Sequence, residues 1–158
     1  MAETLGSLID KLAIKNLREY HLREINKGKN KKFSSREIKE KLNMLLGQKS
    51  QLIQEIEGFI VGAIKGKVLL KDDKLKLYNP VETIGRIPSF NKLGEAISYL
   101  VRKNAQLWCL EDEARRHDVS LSYIGKTKKK IDLANQQRND AVDKVDALFE
   151  SMIKKHKR

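Results

Sequence analysis

Lys92-Leu93-Gly94-Glu95-Ala96-Ile97-Ser98-Tyr99-Leu100-Val101-Arg102-Lys103-Asn104 repeats, in order and character, Thr4-Leu5-Gly6-Ser7-Leu8-Ile9-Asp10-Lys11-Leu12-Ala13-Ile14-Lys15-Asn16. The register continues, with Tyr20 on Trp108, Leu22 on Leu110 and Glu24 on Asp112. A second pair of segments aligns as well, 42–60 with 131–149. It sets Gln48-Lys49 on Gln137-Arg138, Ile53 on Val142, Ile56 on Val145 and Glu57 on Asp146. Shared helical periodicity explains aligned apolar positions. It does not explain aligned Leu-Gly, Lys-Asn, aromatic and Gln-basic positions in one order. The chain therefore reads as a duplicated helix hairpin, with repeats at 4–60 and 92–149.

Local signals divide each repeat into two helices. The first spans about 3–25 and ends in the Lys/Gly/Asn-rich stretch 26–32. Ser34-x-x-Glu37 is a capping box that starts the second, which runs to about residue 65. Gly58, Gly62 and Gly66 recur every fourth residue there, a spacing that lets another backbone approach, and Gly66 is a C-cap candidate. Residues 69–78 read as a small hairpin or extended connector, and Pro80 and Pro88 bracket a loop. Ser89 or Asn91 can cap a third helix ending near 117–118, and a fourth begins around 120–122. The expectation is an all-α single domain over 1–158: a four-helix bundle of two tandem antiparallel hairpins, or hairpins that exchange between subunits. A short extended connector (66–90) separates them, and a basic tail (154–158) follows.

Composition agrees. Of 158 residues, 40% are apolar and 34% charged, and the two prolines and nine glycines are too few for a turn-rich β fold. Cys109 is the single cysteine, which leaves no disulfide framework or Cys-based zinc site within one chain. The first residues mix Glu3, Asp10 and Lys11 into the apolar pattern, unlike a signal peptide. The longest apolar run, 59–64, is far short of the ~20 residues that span a bilayer. A cytoplasmic location follows as the expectation.

The predicted seams are Leu5, Ile9, Leu12, Asn16 and Tyr20 on helix one, and Leu42, Leu46, Lys49, Ile53, Ile56 and Ile60 on helix two. Helix three gives Leu93, Ile97, Leu100, Asn104, Leu107/Trp108 and Glu111. Helix four gives Ile131, Asn135, Arg138, Val142, Val145, Phe149 and Met152. Asn16, Lys49, Asn104, Asn135 and Arg138 stand where the pattern predicts apolar side chains. In an antiparallel hairpin, Glu111 and Asp112 are in reach of Arg138. A guanidinium in a core needs a carboxylate or an anionic ligand. One reading is a buried polar layer that sets helix register. The other is an anion or sugar-phosphate pocket with Trp108 as a stacking wall. The candidate ligand-binding residues are Asn104, Trp108, Glu111, Asp112, Arg115, Asn135, Arg138, Asn139 and Asp140.

Leu107-Trp108-Cys109-Leu110-Glu111-Asp112-Glu113-Ala114-Arg115-Arg116 and Ile131-Asp132-Leu133-Ala134-Asn135-Gln136-Gln137-Arg138-Asn139-Asp140 together resemble an uncharacterised bacterial domain-of-unknown-function family of small helical proteins. Its pattern is an Ile-Asp-Lys-Leu…Asn…Trp…Glu-Asp…Arg helix followed by an Ile-Asp…Asn-Gln-Gln-Arg-Asn-Asp helix. The second half, about 85–153, carries nearly all of it. The first half keeps Ile9-Asp10-Lys11-Leu12 and Asn16, but has Tyr20 for the Trp and Lys49-Ser50-Gln51 for Arg-Asn-Asp. The resemblance implies a bacterial protein without assigned activity, whose relatives are loosely associated with surface-polysaccharide gene neighbourhoods. It places any site in the second hairpin.

Catalysis is the weaker expectation. No Glu-x-x-His pair, Walker loop, G-x-S-x-G or HExxH occurs. His21, His117 and His156 lack ligand-spaced partners and read as surface or tail residues, so neither a metal nor a cofactor is expected. Cys109 has no His base in range. The leading reading is a non-catalytic binding or assembly protein, a homo-oligomer, with an anionic or sugar-phosphate ligand held between helices. A net charge of +12, concentrated at Lys27, Lys29, Lys31 and Lys32, at Lys126 with Lys128–Lys130, and in the tail, makes nucleic-acid binding the alternative. A magnesium-dependent phosphohydrolase using Glu111, Asp112, Asp140 and Asp143 is the third.

Overall fold

The computed structural model describes residues 3–27, 33–71 and 87–156. Four helices account for most of them: α1 (Leu5–Lys27), α2 (Ser35–Ile64), α3 (Leu93–Ala114) and α4 (Leu121–His156). They form an all-α four-helix bundle in which α1 packs on α2 and α3 on α4, each pair antiparallel. Nearly all of the connector expected at 66–90, from residue 72 to 86, lies outside the described residues, as do Lys29, Lys31, Lys32 and the end of the basic tail.

The helix starts follow the local chemistry. Thr4 and Ser7 exchange backbone-to-hydroxyl bonds of 2.9 and 3.3 Å at the head of α1. The Ser34 capping box is complete, with the Glu37 N–H donating to the Ser34 hydroxyl and the Ser34 N–H to the Glu37 carboxylate. The Tyr123 N–H donates to Ser120 Oγ at the start of α4. At α3 neither Ser89 nor Asn91 caps. The N-cap is Lys92, which supplies no side-chain acceptor. That helix also stops at Ala114, short of 117–118. Past α2, Gly66 takes φ 69° and its N–H donates to Ala63, while the Lys67 N–H donates to Gly62. This is a Schellman stop. Val68 folds back to within 2.9 Å of the position a Cβ on Gly62 would take. The close approach that the Gly62 spacing allows is made by the chain's own next turn.

The core falls into two clusters. The larger joins Leu5, Ala96, Leu100, Val142, Val145 and Phe149 with Ala63 at the end of α2. The smaller joins Leu107, Ile131 and Ala134. Leu100 is fully buried, and its truncation to Ala is worth about 2–5 kcal/mol. The α3 seam and most of the α4 seam sit as their periodicity predicts, though Met152 is exposed. The first hairpin differs. On α2 the buried positions are Ile38, Leu45 and Leu52, while Leu46 and Ile53 face outward. On α1 they are Leu8 and Ala13 with Leu5, while Asn16 and Tyr20 are exposed. The reason is positional: α1 packs against all three other helices, so its buried face is set by the groove between them. The α2 helix packs mainly on α1 and buries a narrower stripe.

Candidate functional site

Between the two apolar clusters the bundle carries a polar layer. Asn104 on α3 is buried, and its Nδ2 donates to Asp10 Oδ1 on α1 at 2.7 Å and to the Leu100 carbonyl at 3.3 Å. Arg138 on α4 approaches the same carboxylate, with Nε 3.8 Å from Asp10 Oδ1, beyond hydrogen-bond length. Its Nη2 reaches Asn139 Oδ1 at 3.4 Å, and its Nε is buried without a hydrogen-bond partner.

The expected Arg138 pairing with Glu111 or Asp112 is not made. Both carboxylates lie on the outer turn of α3 beside Arg115, at 3.7 and 3.6 Å. The carboxylate near Arg138 comes instead from α1. The hairpin argument considered only the partner helix, and the third helix supplied the acid. Asp10 stands within the quoted Ile9-Asp10-Lys11-Leu12 segment, but nothing in its local spacing singles it out as the acid that crosses to α4.

A cleft of about 380 Å³ opens beside this layer. Its walls are Ile14, Leu17 and Arg18 from α1, Asn135 and Arg138 from α4, and Asn104, Leu107, Trp108, Glu111, Asp112 and Arg115 from α3. Seven sequence candidates, Asn104, Trp108, Glu111, Asp112, Arg115, Asn135 and Arg138, are thus brought together. Asn139 and Asp140 are not among the lining residues. Asn139 braces Arg138, and the charge of Asp140 acts on Tyr99 of α3. Sequence reasoning missed Arg18, which lines the cleft from α1, and His21. The His21 ring stacks on Trp108 with centroids 4.4 Å apart and planes 5° from parallel. One face of the Trp108 wall is therefore covered from within the chain. Beyond it lies an apolar groove that shares Arg18 and Trp108 and continues over Leu22, Ile25, Met44 and Leu45.

Elsewhere the polar seam is spent on ion pairs. Lys49 bonds Glu19, which also takes Arg23 and is held below the usual carboxylate range by both. At the α3–α4 corner, the Tyr123 hydroxyl donates to Glu113 at 2.8 Å while Arg116 bridges Glu113 and Asp118. These bonds lower the Glu113 and Asp118 carboxyls and raise the Tyr123 phenol. Among the described residues, no three His, Cys, Asp or Glu side chains are gathered in a way that could hold a metal ion. Among the described residues no helix is long and apolar enough to cross a membrane.

The model of the family described as Protein of unknown function (DUF4254) matches residues 1–71 and 94–158, one hairpin in each segment. The chain belongs to this family. The small helical family expected from the Trp108 and Arg138 segments is thereby the one found, and DUF4254 membership assigns no activity. No curated protein and no solved structure matches the chain.

Proposed function

We propose that this chain is a non-catalytic, cytoplasmic binding protein whose α1/α3/α4 cleft takes a small anionic ligand of the phosphate or sugar-phosphate class. The observation that carries the reading is Arg138: a guanidinium on a cleft wall, with a buried Nε that no protein acceptor satisfies. A buried donor left unmade costs about 1–3 kcal/mol, which an oxyanion would recover by drawing the partly exposed guanidinium into the cleft. Arg18 and Arg115 stand on the same walls, and Asn104 and Asn135 add neutral donors suited to hydroxyls. Glu111 and Asp112 offset part of that charge, which favours a ligand with hydroxyls as well as phosphate over a bare polyanion.

The test is thermal unfolding with inorganic phosphate or glucose 6-phosphate against chloride at matched ionic strength. At tenfold excess over Kd, stabilisation is about 1.4 kcal/mol, or roughly 4 °C in a chain of this length. Arg138→Met should abolish the shift and leave helicity intact. No anion-specific shift in the parent protein removes the proposal.

A second reading rests on the exposed Lys126 and Lys128–Lys130 at the head of α4, a basic ridge suited to nucleic-acid phosphates. Such binding would fall steeply with added salt, and absence of a mobility shift at low ionic strength ends it.

A further inference from the structure

At the α1–α4 crossing, the first turn of α1 presses onto α4. A Cβ on Gly6 would stand 2.4 Å from the Val142 carbonyl oxygen, and the Gly6 N–H donates to Asp146 Oδ1 at 2.7 Å. One turn on, Asp10 lies beside Arg138. In the internal alignment Gly6, Asp10 and Ala13 correspond to Gly94, Ser98 and Val101 on α3. Arg138, Val142 and Asp146 correspond to Lys49, Ile53 and Glu57 on α2. The equivalent crossing would lay α3 on α2. Yet α2–α3 is not one of the packed helix pairs, because α1 packs on both and stands between them.

Both halves of this unmade crossing are open. Nothing lies within 4 Å of the position a Cβ on Gly94 would take. Ser98 and Glu57 are exposed, Val101 is 42% exposed and Ile53 46%. Lys92, the N-cap of α3, supplies no side-chain acceptor to the first turn, and Glu57 is the aligned counterpart of the carboxylate that serves α1. The face on α2 thus matches, position by position, one that receives a Leu-Gly helix start, and the chain carries a second such start at Leu93-Gly94.

We propose that a second copy of this chain completes the crossing: α3 of one copy lies across α2 of the other, with Gly94 over Ile53 and Glu57. The reciprocal contact closes a two-fold dimer. It brings Val101 and Ile53 under cover and provides Glu57 as acceptor for the uncapped α3 start. The ligand proposed for the cleft plays no part in this contact.

Sedimentation of the full chain at about 50 µM, where even a modest interface is populated, should give twice the 18.2 kDa chain mass. Gly94→Arg and Ile53→Asp should each weaken association at least ~100-fold, as expected for a central contact, with helicity unchanged. As a check independent of those variants, and one that leaves Gly94 in place, Ser98→Cys with Ile53→Cys in a Cys109→Ser background should be joined into a covalent dimer by a short bis-maleimide, while neither single cysteine variant is joined so. A parent chain that is monomeric at this concentration, or larger than a dimer, overturns the proposal. So does a dimer that survives either substitution or forms no 98–53 cross-link.

Discussion

Asn16 and Asn104 occupy aligned positions in the two hairpins, but their surroundings differ completely. Asn104 is buried and bonded to Asp10, whereas Asn16 is exposed. The same divergence separates Lys49 from Arg138. Lys49 pairs with Glu19 inside its own hairpin, while Arg138 sits beside an acid from the other one. It separates Gly6, pressed against α4, from Gly94, which meets nothing. In every case the deciding factor is a third helix. Where α1 lies over α3 and α4, the polar seam becomes a buried layer with a cleft. Where α2 packs mainly on α1 alone, equivalent residues on its outward face remain surface.

The largest contrast is expected at the two glycines. Gly6→Ala drives a Cβ into backbone, so α1 or α4 must shift, at a cost of about 3 kcal/mol. In the monomer Gly94→Ala meets open space on a helix and should stabilise by about 0.5 kcal/mol. Urea midpoints of the two variants moving the same way would break the comparison.

A carboxylate contrast comes next. Asp146 is buried and accepts the Gly6 N–H, so Asp146→Ala should cost about 2 kcal/mol. Its exposed counterpart in Glu57→Ala should stay within about 0.5 kcal/mol in the monomer. The asparagines give a slightly smaller difference. Asn104→Leu strands Asp10 without its 2.7 Å donor and should cost about 1–2 kcal/mol, whereas Asn16→Leu should be nearly neutral.

The finest contrast is in titration. Lys49 and Arg23 lower the Glu19 pKa, so this carboxylate stabilises the fold above its unfolded value and the contribution is lost as pH falls through the lowered folded value. NMR titration of Glu19 should therefore give a midpoint below 4.5, and Lys49→Met should move it upward, Arg23 retaining part of the effect. An unchanged midpoint would show that Lys49 does not hold Glu19 in solution.

Much of this was legible in the residues. Helix number, the Ser34 cap and the Gly66 stop follow from local spacing, and seven of the nine candidate residues line one cleft. Apart from the ends of α3, the misses share one cause. The α2 seam was read through Leu46 and Ile53 because both fit a 3.6-residue period. Ile38, Leu45 and Leu52 fit a seven-residue one just as well, and only the placement of α1 chooses between them. The pairing of Arg138 was sought along the hairpin, where sequence separation is short, and was found across it. His21 looked like a surface residue because its stacking partner Trp108 lies on another helix.

Sequence alone determined where α2 begins and ends, because its capping box and Schellman bonds close within a few residues, and which positions could be buried, because amphipathic period is a local property. Tertiary structure decided which of those positions are buried. The second hairpin has α1, a helix from outside it, packed on both its members, whereas α2 packs mainly on α1 of its own hairpin, and burial depends on that neighbour. The cleft, the orphaned Nε of Arg138 and the open α2–α3 faces all result from that one asymmetric placement.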